Sequence, residues 1–185
     1  MLNTIPERKI DAGTRLGAMV LDHFIMTMIA MLFFIPGMVS MFISAFKVSR
    51  EQSNPDIFGG MLYLGLWGFA VYFCKDCING RSIAKRILKL QLIDNTTGQV
   101  ASPMKCFIRN LFIVFWPIEG IVALANPSRR IGDRVAGTKL VRYDALREQP
   151  KVKLVQVLIP LAMAYALMLL FTLPFTALQN SRATN

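Results

Sequence analysis

The chain has 185 residues, 54% of them hydrophobic against 17% charged, with a positive mean hydropathy of +0.46 and a formal net charge of +10. That length allows one domain, and the composition excludes an ordinary soluble one, placing the chain among polytopic membrane proteins. The basic residues sit between apolar runs, so they read as membrane-orienting charge and contacts for anionic headgroups, and nucleic-acid binding is not expected.

Residues 1–12 are short and mixed, and Asp11 or Thr14 is placed to cap the helix that follows. The first apolar run gives a span over residues 14–46, longer than the roughly 20 residues a bilayer needs, so tilt or a kink at Pro36-Gly37 is expected. The run is too long, and lacks the small-residue cleavage site, for a signal peptide. Its opening carries Arg15 and Asp22, seven residues apart and therefore on one helix face, about 10 Å apart along the axis. Arg15 fits the headgroup level and Asp22 lies one to two turns into hydrocarbon. A carboxylate there costs a few kcal/mol and needs a partner, which makes Asp22 a candidate functional residue or a packing residue capped by an arginine on another helix. His23 adjoins it and is the one histidine. The methionines at 19, 26, 28, 31, 38 and 41 form a soft packing surface and not a metal site.

A polar loop at residues 47–56 leads to a second span over residues 57–77. Gly59, Gly60, Gly65 and Gly68 let another helix approach it closely, which marks this span as an oligomer contact. The three cysteines, Cys74, Cys77 and Cys106, do not complete a tetrahedral site and serve as small buried thiols. Asn79-Gly80 signals a turn, followed by a basic amphipathic piece. Leu88, Leu90 and Leu92 alternate with Lys89 and Gln91, a strand period that recurs at residues 138–143. The two segments are expected to pair as a small sheet at the membrane surface.

Residues 111–125 form an apolar run of 15, interrupted by Pro117 and Glu119, short for a span and suited to a re-entrant or interfacial helical hairpin. Charge supports this. Seven basic residues in 75–109 and eight in 126–153 would face opposite sides if the run crossed, against the positive-inside tendency, and share one side if it returns. Residues 154–178 give a final span free of ionisable groups. The expected architecture is one all-α integral membrane domain over residues 1–185. It has three full transmembrane helices, a short re-entrant or interfacial hairpin and a small surface β-pair, with four full spans as the alternative. The re-entrant topology puts the N-terminus in the cytoplasm and the tail outside; four spans put both ends inside.

These residues together resemble the RDD family of bacterial membrane proteins, named for an arginine and two aspartates. Arg15 and Asp22 match the first two, and Asp133 in Arg129-Arg-Ile-Gly-Asp-Arg-Val-Ala-Gly-Thr138 matches the third. Gly80-Arg-Ser-Ile-Ala-Lys-Arg-Ile-Leu88 and Arg109-Asn110 also fit the pattern, with Ser82 and Ala84 where relatives commonly carry Thr and Gly. The resemblance covers residues 10–143 and leaves the final span outside. It implies a multi-pass protein of the bacterial inner membrane and, for a few members, sodium/proton antiport or other cation transport.

Two functions follow as expectations. The first is small-cation/proton transport (Na⁺, K⁺ or Li⁺ against H⁺) through Asp22 and Glu119, with Arg15 or Arg109 holding the carboxylates ionised. No internal repeat is evident, so transport is expected to require a homo-oligomer. The second is a non-catalytic module for a protein partner or anionic lipid, in which Arg15, Asp22 and Asp133 form a structural ion cluster and Glu119 bridges to Arg109. Asp133 is equally placed to cap a short helix. Asn110 and His23 are secondary candidates, His23 as a proton relay. With no phosphate loop, no Ser–His–Asp set and no complete metal site, neither an enzyme nor a cofactor is expected.

Overall fold

The computed structural model describes residues 10–46, 60–146 and 148–183. The loop at 47–56, Gly59 and the first residues of the second span lie outside them. Helix α1 (Ala12–Phe46) starts where Asp11 accepts hydrogen bonds from the Thr14 amide and hydroxyl, both at 2.7 Å, and it continues through Pro36. Helix α2 (Gly60–Phe73) packs along α1 and against α7 (Leu154–Ala183). Gly65 and Gly68 face α1 within the same chain: a Cβ at Gly65 would meet the Phe34 ring, and one at Gly68 would lie 2.8 Å from the Ala30 carbonyl. The close approach expected of these glycines is real, but α1 occupies it, so these two are not free for an oligomer contact. Trp67 stacks on Tyr165 of α7 at 4.5 Å.

Three helical stretches are long and apolar enough to cross a membrane: Ala12–Ile43, Pro103–Ala125 and Leu154–Leu178. The first and last turn large apolar side chains outward, Leu32, Phe42 and Phe171 among them, as lipid-facing helices do. Met28, Met31, Met38 and Met41 are also exposed, so most of the methionine surface faces outward.

The middle stretch begins earlier than residue 111 and is broken. It comprises α4 (Pro103–Leu111), a 3₁₀ turn (Phe112–Phe115) and α5 (Trp116–Ala125). Both of its ends are tied to one surface layer. Near the start, Lys105 reaches Asp94 at 2.6 Å; three residues past the end, the Ser128 carbonyl accepts from the Leu140 amide at 3.1 Å. Asp94 and Leu140 belong to the same small sheet, so both ends of the stretch lie against one layer, and the break between its two helices falls at the 3₁₀ turn.

That sheet pairs β1 (Leu90–Asp94) with β2 (Thr138–Arg142), antiparallel, with Leu92 opposite Leu140. Leu90, Leu92 and Leu140 share the core with Phe73, Cys106 and Phe107. Each strand is preceded by a five-residue helix, α3 (Ile83–Ile87) or α6 (Ile131–Val135). Each helix enters from an extended cap, Ser82 or Arg130, and leaves through a residue of positive φ, Lys89 (52°) or Gly137 (65°). Every one of these pairs is 48 residues apart, including the central strand pair Leu92 and Leu140. The two helix–strand units are therefore related by a pseudo-twofold axis through that pair. An internal repeat is present although the sequence does not display it, because Ser82/Arg130 and Lys85/Asp133 occupy equivalent positions with unlike chemistry.

Candidate functional site

Beneath the sheet, where both repeats meet α1, charged side chains form a buried network. At its centre is Asp133, on α6. One carboxylate oxygen takes Arg15 Nη2 at 2.5 Å and the Arg130 amide at 3.1 Å, and the other takes Arg109 Nε at 2.7 Å and the Thr138 hydroxyl at 3.1 Å. Asp133 therefore both caps its helix and anchors Arg15. Gly132 makes this packing possible: a Cβ there would lie 2.3 Å from the Arg109 carbonyl. Burial alone would push the Asp133 carboxyl up. The guanidinium groups of Arg109, Arg15 and Arg130 outweigh it and hold the group well below the usual carboxylate range.

Arg109 extends the network to Asp76 at 2.7 Å, just past the end of α2. Asn110 donates to the Phe73 carbonyl (3.0 Å) and accepts from Arg130 Nη2 (3.2 Å), fixing α4 against α2 and α6. Asp76 pairs with Lys85 Nζ at 2.8 Å and accepts from the Ser82 amide at 3.1 Å. Burial would raise its carboxyl, but Lys85, Arg109 and Lys75 hold it well below the ordinary range. Glu119 on α5 accepts from the Gly132 amide at 2.7 Å, and its second oxygen lies 2.8 Å from Arg130 Nε, whose N–H is not aimed at it. The bridge expected between Glu119 and Arg109 is thus made by Arg130, because Arg109 is already taken up by two aspartates.

Asp22 is the exception. Although Arg15 lies on its helix face, Arg15 is directed to Asp133, and Asp22 pairs instead with Lys85 of α3 and more loosely with Lys75, 3.8 Å away. Both contacts are made to one oxygen; the other is buried and has no hydrogen bond among the described residues. Asp22 also lines a small cavity of about 10 Å³, together with Arg15, Lys75, Lys85, Arg109 and Arg130, with room for about one water. Burial pushes the Lys75 ammonium down to about 7, with Lys85 and Arg130 adding to the effect and Asp22 and Asp76 opposing it. Lys75 also sits over the Tyr72 ring at 4.9 Å. His23 does not touch Asp22 through a hydrogen bond; its Nδ1 is 2.8 Å from the Tyr72 hydroxyl.

The cluster holds five cationic side chains, Arg15, Lys75, Lys85, Arg109 and Arg130, against the carboxylates of Asp22, Asp76, Glu119 and Asp133. It unites the three expected residues but joins Arg15 and Asp22 only through intermediaries. Lys85 and Arg130 escape a sequence reading because they sit among basic neighbours such as Arg86 and Arg134, and Lys75 and Asp76 because they read as the polar end of the second span. The available signal is Asp76, an acid at the end of an apolar run with no local cation four residues away. The cysteines are free thiols, and no group of three or more metal-ligating side chains occurs among the described residues.

No curated protein and no solved structure matches the chain. The model of the RDD family matches residues 10–184, through the final helix that the sequence resemblance left out, and the chain belongs to the RDD family.

Proposed function

We propose that the protein exchanges a small monovalent cation for a proton across the membrane, with the Asp22 carboxylate holding the cation and Lys75 carrying the exchanged proton. The observation that carries this is the buried Asp22 oxygen without a hydrogen bond, on a residue that lines the cavity. The fixed groups explain the exchange. With Lys75 neutral, four cations balance four carboxylates; the cluster then accommodates one further positive charge, either the Lys75 proton or a cation beside Asp22. The broken α4–α5 stretch is a feature shared with transporters. Arg15, Asp133, Arg109, Asp76 and Glu119 act in this scheme as a lock that holds the two helix–strand units against α1, α2 and α5. The basic surface layer is assigned to the cytoplasmic side of a bacterial inner membrane by the positive-inside tendency, with the N-terminus there too.

The test is ion flux in proteoliposomes, wild type against Asp22→Asn, with a pH-sensitive dye and Na⁺, K⁺ or Li⁺ added in turn. A cation-dependent pH change lost in folded Asp22→Asn supports exchange. No flux with any cation in folded wild type overturns it and leaves the second proposal, a non-catalytic module for a protein partner or anionic lipid. That reading is favoured by how completely the remaining carboxylates are paired.

A further inference from the structure

Of the six charged side chains that line the small cavity in the ion cluster, five are cations and Asp22 is the one acid. Two of the cations are held by acids: Lys85 by Asp22 and Asp76, and Arg109 by Asp76 and Asp133. The other three keep spare donors. Arg15 Nε and Arg130 Nε are buried without a hydrogen bond, on side chains only 2% and 3% exposed. The Lys75 ammonium has the 3.8 Å ion pair with Asp22 and the face of the Tyr72 ring, and neither is a hydrogen bond. A buried donor without an acceptor is costly, and here three belong to residues around one cavity.

Charge points the same way. With Lys75 protonated, five cations stand against four carboxylates, and the surplus lies out of water. A water could accept from these donors but would leave the surplus in place. An anion removes it and accepts through charge-assisted hydrogen bonds. Room for about one water excludes polyatomic anions such as nitrate or phosphate. We infer that the cavity binds a single halide ion, chloride for example, while Lys75 is charged, with Arg15 Nε, Arg130 Nε and Lys75 Nζ as donors.

The groups that face Lys75 are Asp22 of α1, Tyr72 of α2, Asp76, Lys85 of α3 and Arg130 at the start of α6. Asp22 opposes a halide, but Lys85 already meets its charge. Once Lys75 is neutral, four cations balance four carboxylates and no surplus holds the halide. The site does not depend on the exchange proposed above. If exchange occurs, halide and cation exclude each other, and the halide favours the protonated state of Lys75.

The experiment compares the full chain in mild detergent in chloride and in gluconate at equal ionic strength. At about pH 6, where Lys75 is charged, chloride should give a saturable rise in melting temperature of about 2 °C or more. At about pH 9 the rise should vanish, and nitrate should match gluconate at both. Lys75→Met should lose the chloride effect at the lower pH. Long-wavelength anomalous diffraction from crystals grown in chloride at about pH 6 should place a halide peak in the cavity. Equal melting in chloride and gluconate at the lower pH overturns the inference, as does the same rise with nitrate, at the higher pH or in Lys75→Met. Anomalous peaks on the surface alone, an adventitious ion only, overturn it too. If Lys75→Met fails to fold, the pH comparison in the wild type and the anomalous map decide the question. None of these readouts requires cation flux, so the two proposals fail separately.

Discussion

Replacing Asp133 with Asn should destabilise the protein severely. The carboxylate takes two guanidinium groups, at 2.5 and 2.7 Å, and two further donors, while 0% of its side chain is exposed. Asparagine keeps the size and one acceptor oxygen, but it removes the charge and turns an N–H₂ toward Arg15 or Arg109. Removing one partner from a buried pair leaves an uncompensated charge at a cost of roughly 3–5 kcal/mol. At about 2–4 °C per kcal/mol for a chain of this size, the melting temperature should fall by roughly 6–20 °C. The assay is thermal unfolding in detergent, followed by fluorescence of Trp67 and Trp116. Arg15→Gln should cost less in the Asp133→Asn background than in the wild type, since the two residues share one interaction. A fall of under about 2 °C, or additive effects in the double variant, would refute a central role for Asp133.

Three other outcomes follow. Lys75 binds its proton less readily in the fold (about 7) than in the unfolded chain, so the unfolded state takes up the extra proton between about 7 and 10.5 and stability should rise with pH across that window. Lys75→Met should flatten this rise and raise the melting temperature below pH 7; an unchanged pH profile would refute it. Gly132→Ala should lose most folded protein because its Cβ would strike the Arg109 carbonyl, whereas Gly120→Ala, with open space at the Cβ, should be neutral or up to about 1 kcal/mol stabilising. Melting curves of the two variants check both, and similar behaviour would sink the packing argument. Finally, single cysteines at Lys105 and Ser128, in a background lacking the native thiols, should label from the same side of the membrane; labelling from opposite sides would rule out a returning α4–α5 stretch.

The features legible in the sequence were those with a local signature. Alternation announced the strands, Asn79-Gly80 the turn with both residues at positive φ, and Pro117 the interruption of the apolar run at the start of α5. Asp11 and Asp133 act as caps from positions a capping rule picks out. Partner choice was not legible. Arg15 and Asp22 share a helix face, yet their bonds run to α6 and α3, because a helix face fixes direction and the neighbouring elements decide which charge fills it. The glycines of α2 likewise announced a close approach without naming α1 as the element approached. The repeat stayed hidden because it lies in backbone conformation while the side chains at equivalent positions differ, lysine on one side and aspartate on the other.

The Arg15–Asp133 pair closes over 118 residues of chain, and this separation bears on how the protein is made. At roughly 5–20 residues per second, α1 waits about 6–24 s after Arg15 is synthesised before its carboxylate exists. During that interval the guanidinium can rest only among headgroups and water, which keeps the start of α1 at the membrane surface until β2 follows. A chain truncated before Asp133 therefore leaves Arg15 and Arg109 without the carboxylate they share, and the start of α1 keeps only its local Asp11 cap.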